Sequence, residues 1–135
     1  LKQTHPSRFI GLNGGLTSGE QAKREGQGLD GVMLGRAAYH DADQLRAVDR
    51  IFYGDHAEPI SDDALCDAMM RHAADHIAGG GRLHHVTRHM LGLFAGRPGA
   101  RRYRNILSVG AVPKDSGPEI IAQACDVMRQ HAAAA

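Results

Sequence analysis

The sequence has no tryptophan, few aromatics of any kind (4%), two cysteines, and almost no net charge, at +1 over 135 residues. Each scarcity removes a class of protein. No apolar run approaches the roughly 18 residues that span a bilayer, and no charged-then-apolar leader opens the chain, so no membrane role is expected and a cytoplasmic location is. Cys66 and Cys125 stand in no CxxC pair and in no secreted-scaffold spacing, so both are expected to be reduced and structural. A metal site lacks ligands as well. His72 and His76 are four apart, as are His85 and His89, but no third ligand keeps a matching spacing, and no metal is expected. With rings so sparse, Met69, Met70 and Met90 are expected to fill the core.

What the chain does have is a local concentration of positive charge. From Arg82 to Arg104 it reads RLHHVTRHMLGLFAGRPGARRYR, with six arginines, three histidines and no Asp or Glu. In a nearly neutral protein such a segregated surface expects a polyanion; a merely solvated arginine face would carry interspersed acids. Leu83, Val86, Met90, Leu93 and Phe94 recur at helical spacing and predict one helix up to Gly96, with His84, His85 and Arg88 on the other side. Pro98 then opens a second helix, where Arg101 and Arg104 share one side and Ala100, Tyr103 and Leu107 another. Tyr39 and Tyr103 could stack on a base, but the position of Tyr103 predicts inward packing.

The remainder divides in two. Phe9, Ile10 and Leu12 form a strand-like run that stops at Asn13-Gly14-Gly15, and Thr17 or Ser18 caps the helix that follows. Val32-Met33-Leu34 is a second run, ending at Gly35-Arg36, and a further helix is expected from Ala37 to Gly54. Strand, helix, strand, helix means parallel strands with helical crossovers, and two such units are not stable alone, so residues 1–56 are expected to be the last two βα units of a TIM (β/α)₈ barrel. From Ser61 the strand signal vanishes, and residues 57–135 are expected to form a four-helix bundle, giving an α/β plus all-α chain. Loops after the last two barrel strands frequently bind phosphate. The Asn13, Gly14 and Gly15 turn and the Gly35-Arg36 turn lie where those loops belong, with free backbone amides and a guanidinium to bind it.

The run HVTRHMLGLFAGRPGARRYRNIL, His85 to Leu107, resembles the C-terminal helical segment of the A-type branch of the tRNA-dihydrouridine synthases, the tRNA-dihydrouridine(20/20a) synthases. The two glycine turns resemble that family's flavin phosphate-binding segments, so the resemblance covers residues 8 to 107 and fades beyond Ser108. It implies an FMN enzyme, reduced by NADPH, that passes a hydride to a D-loop uracil of tRNA, with a cysteine protonating the neighbouring ring carbon. Asn13, Gly14, Gly15, Gly35 and Arg36 would hold the FMN phosphate; Arg101, Arg104, Arg88 and Arg97 would meet tRNA. The six earlier strands and the acid cysteine of the family are not in this sequence. No catalytic residue is therefore assigned, and these 135 residues alone are expected to be inactive. The alternative is a helical RNA-binding module without chemistry.

Overall fold

The computed structural model describes residues 1–134, which fall into two compact units, Leu1–Pro59 and the residues from Ile60 onward. The first holds a two-stranded parallel sheet of β1 (Gly11–Asn13) and β2 (Gly31–Met33), joined through helix α1 (Gly19–Glu25). Asp30 fixes the entry to both strands: its carboxylate accepts from the Ile10 amide at 2.8 Å and its own amide donates to the Ile10 carbonyl at 2.9 Å. The hydrogen bond from Lys2, at 2.7 Å, and then the Ile10 N–H hold that carboxyl below the usual aspartate value. The resulting register, Gly11 to Gly31 and Asn13 to Met33, brings both strands to an end at the same level. That level carries the two glycine turns.

Ser18 caps α1, accepting from the Gln21 amide at 3.1 Å, while Gln21 Oε1 accepts in return from the Thr17 amide at 2.9 Å and hydroxyl at 2.7 Å. The reciprocal bonds fasten the chain between β1 and α1. After β2 the single long helix expected from the apolar spacing is absent. The segment divides into α2 (Arg36–His40), a 3₁₀ stretch (Ala42–Ala47) and a π-helical turn (Asp49–Tyr53) that ends on Gly54 in the left-handed region. Few apolar side chains of this unit are buried, Leu16 and Ala22 among them, whereas Phe9, Met33, Tyr39 and Tyr53 are exposed. So thin a core gives the crossover helix little face to continue against.

The second unit is helical. Ser61 caps α3 (Asp62–Ala78), accepting from the Ala64 amide at 3.1 Å, and is followed by α4 (Leu83–Thr87), α5 (Ala100–Gly110) and α6 (Glu119–Ala133). Three helices of eleven or more residues and one of five are not the regular four-helix bundle expected. The helix read through to Gly96 stops at Thr87, and residues 88–99 run as successive turns. Tertiary packing overrides the local pattern there. Met90, Leu93 and Phe94 are all buried, and Phe94 takes a φ of +62° to set its ring edge-on against Tyr103, with centroids 5.0 Å apart. A straight helix does not pass through that left-handed backbone conformation. Gly99 starts α5 at φ +86°, and a Cβ on it would lie 2.5 Å from His131 Cδ2, so glycine is required on both grounds.

The expectation of reduced cysteines is overturned. Cys66 on α3 and Cys125 on α6 are joined in a disulfide, both essentially buried, across a sequence separation of 59. Isolated positions that far apart give no sign of pairing; it follows from α3 packing on α6.

Candidate functional site

Two places carry the residues that the sequence singled out. In the first unit, Asn13, Gly14, Gly15, Gly35 and Arg36 all line one open cleft of about 640 Å³, at the carboxyl ends of β1 and β2. Gly14 and Gly15 hold φ values of +109° and +70°, a conformation that L side chains rarely adopt, and no neighbour crowds either of them. Their amides are thereby left at an open surface. Gly35 sits at φ −95°, and a Cβ on it would meet nothing within 4 Å. Arg36 is exposed and makes no ion pair among the described residues. Leu16, Thr17, Met33, Ala37, His40, Asp41 and Gln44 also line the cleft and were not anticipated there; Asp41 is its one acid. Gln44 donates to the Ala37 and Asp41 carbonyls at 2.9 and 3.0 Å, which pins the wall behind Arg36; no local pattern marks a glutamine for that task.

In the second unit, α5 presents Arg101, Arg102 and Arg104 to solvent while Ala100, Tyr103 and Leu107 are buried, the division of faces that the spacing predicts. Burial pushes the Tyr103 hydroxyl far above the ordinary tyrosine value, and that hydroxyl donates to the Met90 carbonyl at 3.4 Å. Tyr103 therefore serves the core and is not a stacking platform. None of the three arginines has an acidic partner among the described residues, and α5 itself has no acid. Arg88 is exposed and donates to His89 Nε2 at 2.9 Å. Arg97 differs: it is engaged by Asp62.

A histidine cluster lies in the same unit. His85 Nδ1 faces His76 Nε2 at 3.3 Å and accepts from the Arg82 amide at 3.4 Å, so that nitrogen must be unprotonated. Partial loss of solvent, and then the positive neighbours His84, His76, Arg88 and Arg82, lower its pKa from the ordinary 6.5. Because the folded value lies below the unfolded one, the unfolded chain binds the extra proton. Stability is then full above 6.5 and falls as the pH drops from there through the folded value. The urea midpoint of the parent is expected to fall more than that of His85→Gln between about pH 7.5 and about pH 5.5. Equal falls in the two proteins would rule out His85 as the source.

A parallel βαβα piece with an open cleft at its strand ends, followed by a helical unit with exposed arginines on α5, defines an α/β segment joined to an all-α one. Comparison with known families places it more closely. The family model described as dihydrouridine synthase (Dus) matches residues 1–132, and the chain belongs to that family. It is 45% identical over 121 residues to a tRNA-dihydrouridine(20/20a) synthase of Shewanella oneidensis, covering 90% of this chain and 36% of the relative. A synthase of the same name from Pseudomonas syringae pv. tomato is 45% identical over 131 residues, covering 97% of this chain and 39% of its own length. That of Pseudomonas aeruginosa is 46% identical over 109 residues, or 81% and 33%. The chain thus spans a little over one third of the curated relatives it matches. Among the described residues no helix is long and apolar enough to cross a membrane, and no group of three or more His, Cys, Asp or Glu could hold a metal ion.

Proposed function

We propose that this chain is the C-terminal part of a flavin-dependent tRNA-dihydrouridine(20/20a) synthase of the cytoplasm, supplying part of the FMN phosphate site and the helical surface that grips tRNA. The observation that carries the reading is the siting of Arg101 and Arg102 in the first turn of α5. A helix N-terminus is the positive end of the helix dipole, so two cations there raise the energy of the free protein. A sequence selected for stability alone would place acids at those positions. The arrangement becomes favourable when a polyanion is bound, because the guanidiniums and the helix end then face the same phosphates.

The cleft residues fit an FMN phosphate. The Gly14 and Gly15 amides and the Arg36 guanidinium supply donors from two successive turns, and Arg36 has no internal carboxylate to give up. Bound flavin, reduced by NADPH, supplies the hydride that dihydrouridine formation requires. The contribution of this chain is to fix one end of that cofactor through Asn13, Gly14, Gly15, Gly35 and Arg36, and to orient tRNA through Arg101, Arg104 and Arg88. The earlier βα units of a (β/α)₈ barrel and the family's acid cysteine are assigned to sequence preceding Leu1. Cys66 and Cys125 are tied to each other, so neither offers a thiol to protonate a ring carbon.

On this reading the 135 residues bind tRNA without reducing it. Binding is expected to weaken with salt, at a log–log slope of about 0.7 to 0.9 per phosphate contacted. A flat response removes the RNA surface. In the complete synthase, Arg36→Ala is expected to lose flavin during purification while the helical unit still binds tRNA; full retention of a yellow chromophore would count against the phosphate assignment.

A further inference from the structure

Arg97 stands apart from the other arginines of its stretch. Its guanidinium forks onto Asp62, with Nη2 to Oδ2 at 2.6 Å and Nη1 to Oδ1 at 3.2 Å. The two side chains keep only 35% and 34% of their surface, so the pair is partly shielded from water. Arg97 Cζ also lies 4.8 Å from the centroid of Phe94. Phe94 is wholly buried, left-handed in its backbone, and seated against Tyr103. A two-pronged planar ion pair fixes orientation as well as distance, which a single-point interaction does not. The packing therefore runs without a gap from the first turn of α3, through the connector, into the first turns of α5. Tyr103 lies between Arg101 and Arg104 in the chain and faces inward where they face out.

We infer that Asp62 is a positioning residue for tRNA: by clamping Arg97 against Phe94 it sets the rotation of α5 and so the direction in which Arg101 and Arg104 point. Arg97 acts within the protein and does not touch phosphate. The inference rests on the tRNA reading above and takes Arg97 out of the tRNA contacts expected from the sequence. A carboxylate that merely completed a helix cap would use its neighbours' amides; Asp62 instead reaches 35 residues along the chain, past α4 and into the connector, to the residue three before α5.

The test titrates the chain and its variants against transcribed tRNA at several KCl concentrations, at a temperature where far-UV circular dichroism shows each variant folded. Asp62→Asn is expected to weaken binding about fivefold, the size of effect a coupled residue outside the interface produces, with the salt slope unchanged because each bound phosphate keeps its arginine. Arg97→Lys keeps the charge but cannot fork. It is expected to weaken binding to the same extent, and the double variant no further, since both changes break one clamp. Asp62→Glu restores a carboxylate and recovers part of the affinity. Should D62N bind as tightly as the parent or more tightly, or should R97K bind as the parent does, the clamp is overturned; tighter binding by D62N would show in addition that the freed Arg97 meets phosphate. If D62N does not fold, R97K decides alone. Arg101→Ala/Arg104→Ala is run beside them. Weakening in that pair with D62N at parental affinity removes only the clamp, whereas unaltered binding in that pair removes the RNA surface and this inference with it.

Discussion

On the proposed function, replacing Arg101 and Arg104 together with alanine is expected to weaken tRNA binding about a hundredfold, at about 1.5 kcal/mol for each charge-assisted hydrogen bond to phosphate that disappears. The salt slope falls by about 1.5 units at the same time, which a general loss of structure would not produce in proportion to two phosphates. The conformational stability of the helical unit moves the other way. Arg101 lies in the first turn of α5, where the dipole disfavours a cation, and α5 holds no acid to compensate it. The thermal midpoint of the double variant is therefore equal to or above that of the parent. Loss of affinity together with preserved or increased stability is the signature of a residue retained for a ligand. Arg46 supplies the contrast, because it lies in the first unit and is paired with Asp43 at 2.7 Å; Arg46→Ala leaves tRNA affinity within about twofold. A double variant that binds as the parent does, or loses affinity only as it melts, would dismiss the arginine face.

Much of this arrangement can be read without coordinates wherever it depends on neighbours in sequence. Ser18 and Ser61 announce their helices because a cap is satisfied within three residues, at Gln21 and Ala64. Asn13-Gly14-Gly15 and Gly35-Arg36 mark strand ends because turns have their own chemistry, and the inward position of Tyr103 follows from helical period alone. What escaped depends on distant partners. The connector from residue 88 to 99 carries helical spacing, yet it is held in turns by the demand that Phe94 meet Tyr103. Asp62 reads as an ordinary first-turn acid until Arg97 is found on it, and Asp63 likewise until Arg129 is found at 2.6 Å. The helix expected between Ala37 and Gly54 divides because periodicity states which face is apolar but not whether anything covers it.

Reduction of the Cys66–Cys125 bond is expected to lower the unfolding free energy by about 4 kcal/mol, the loop-entropy value for a ring of this size. The size follows from what the bond encloses. The 59-residue separation contains α4, the whole connector and α5, so the oxidised unfolded chain is denied most of the expansion that competes with the folded arginine face. In the folded state the contribution is small, since the sulfurs are buried between α3 and α6 and two thiols there still pack as compact apolar groups. An effect on the unfolded chain has its own mark: urea unfolding with reductant shows a lower midpoint and a steeper slope, because the released chain exposes more surface. Cys66→Ala/Cys125→Ala reproduces the lower midpoint and makes it indifferent to reductant. Its tRNA affinity is expected to be unchanged wherever the protein is folded, because the bond joins α3 to α6 and the arginines of α5 lie on the exposed face. Equal midpoints with and without reductant, or two thiols that alkylate in denaturant before any reduction, would show that the pair is not joined. With the bond formed, the stability of the helical unit depends on the thiol balance of its surroundings, whereas the phosphate affinity proposed for its arginines is expected not to.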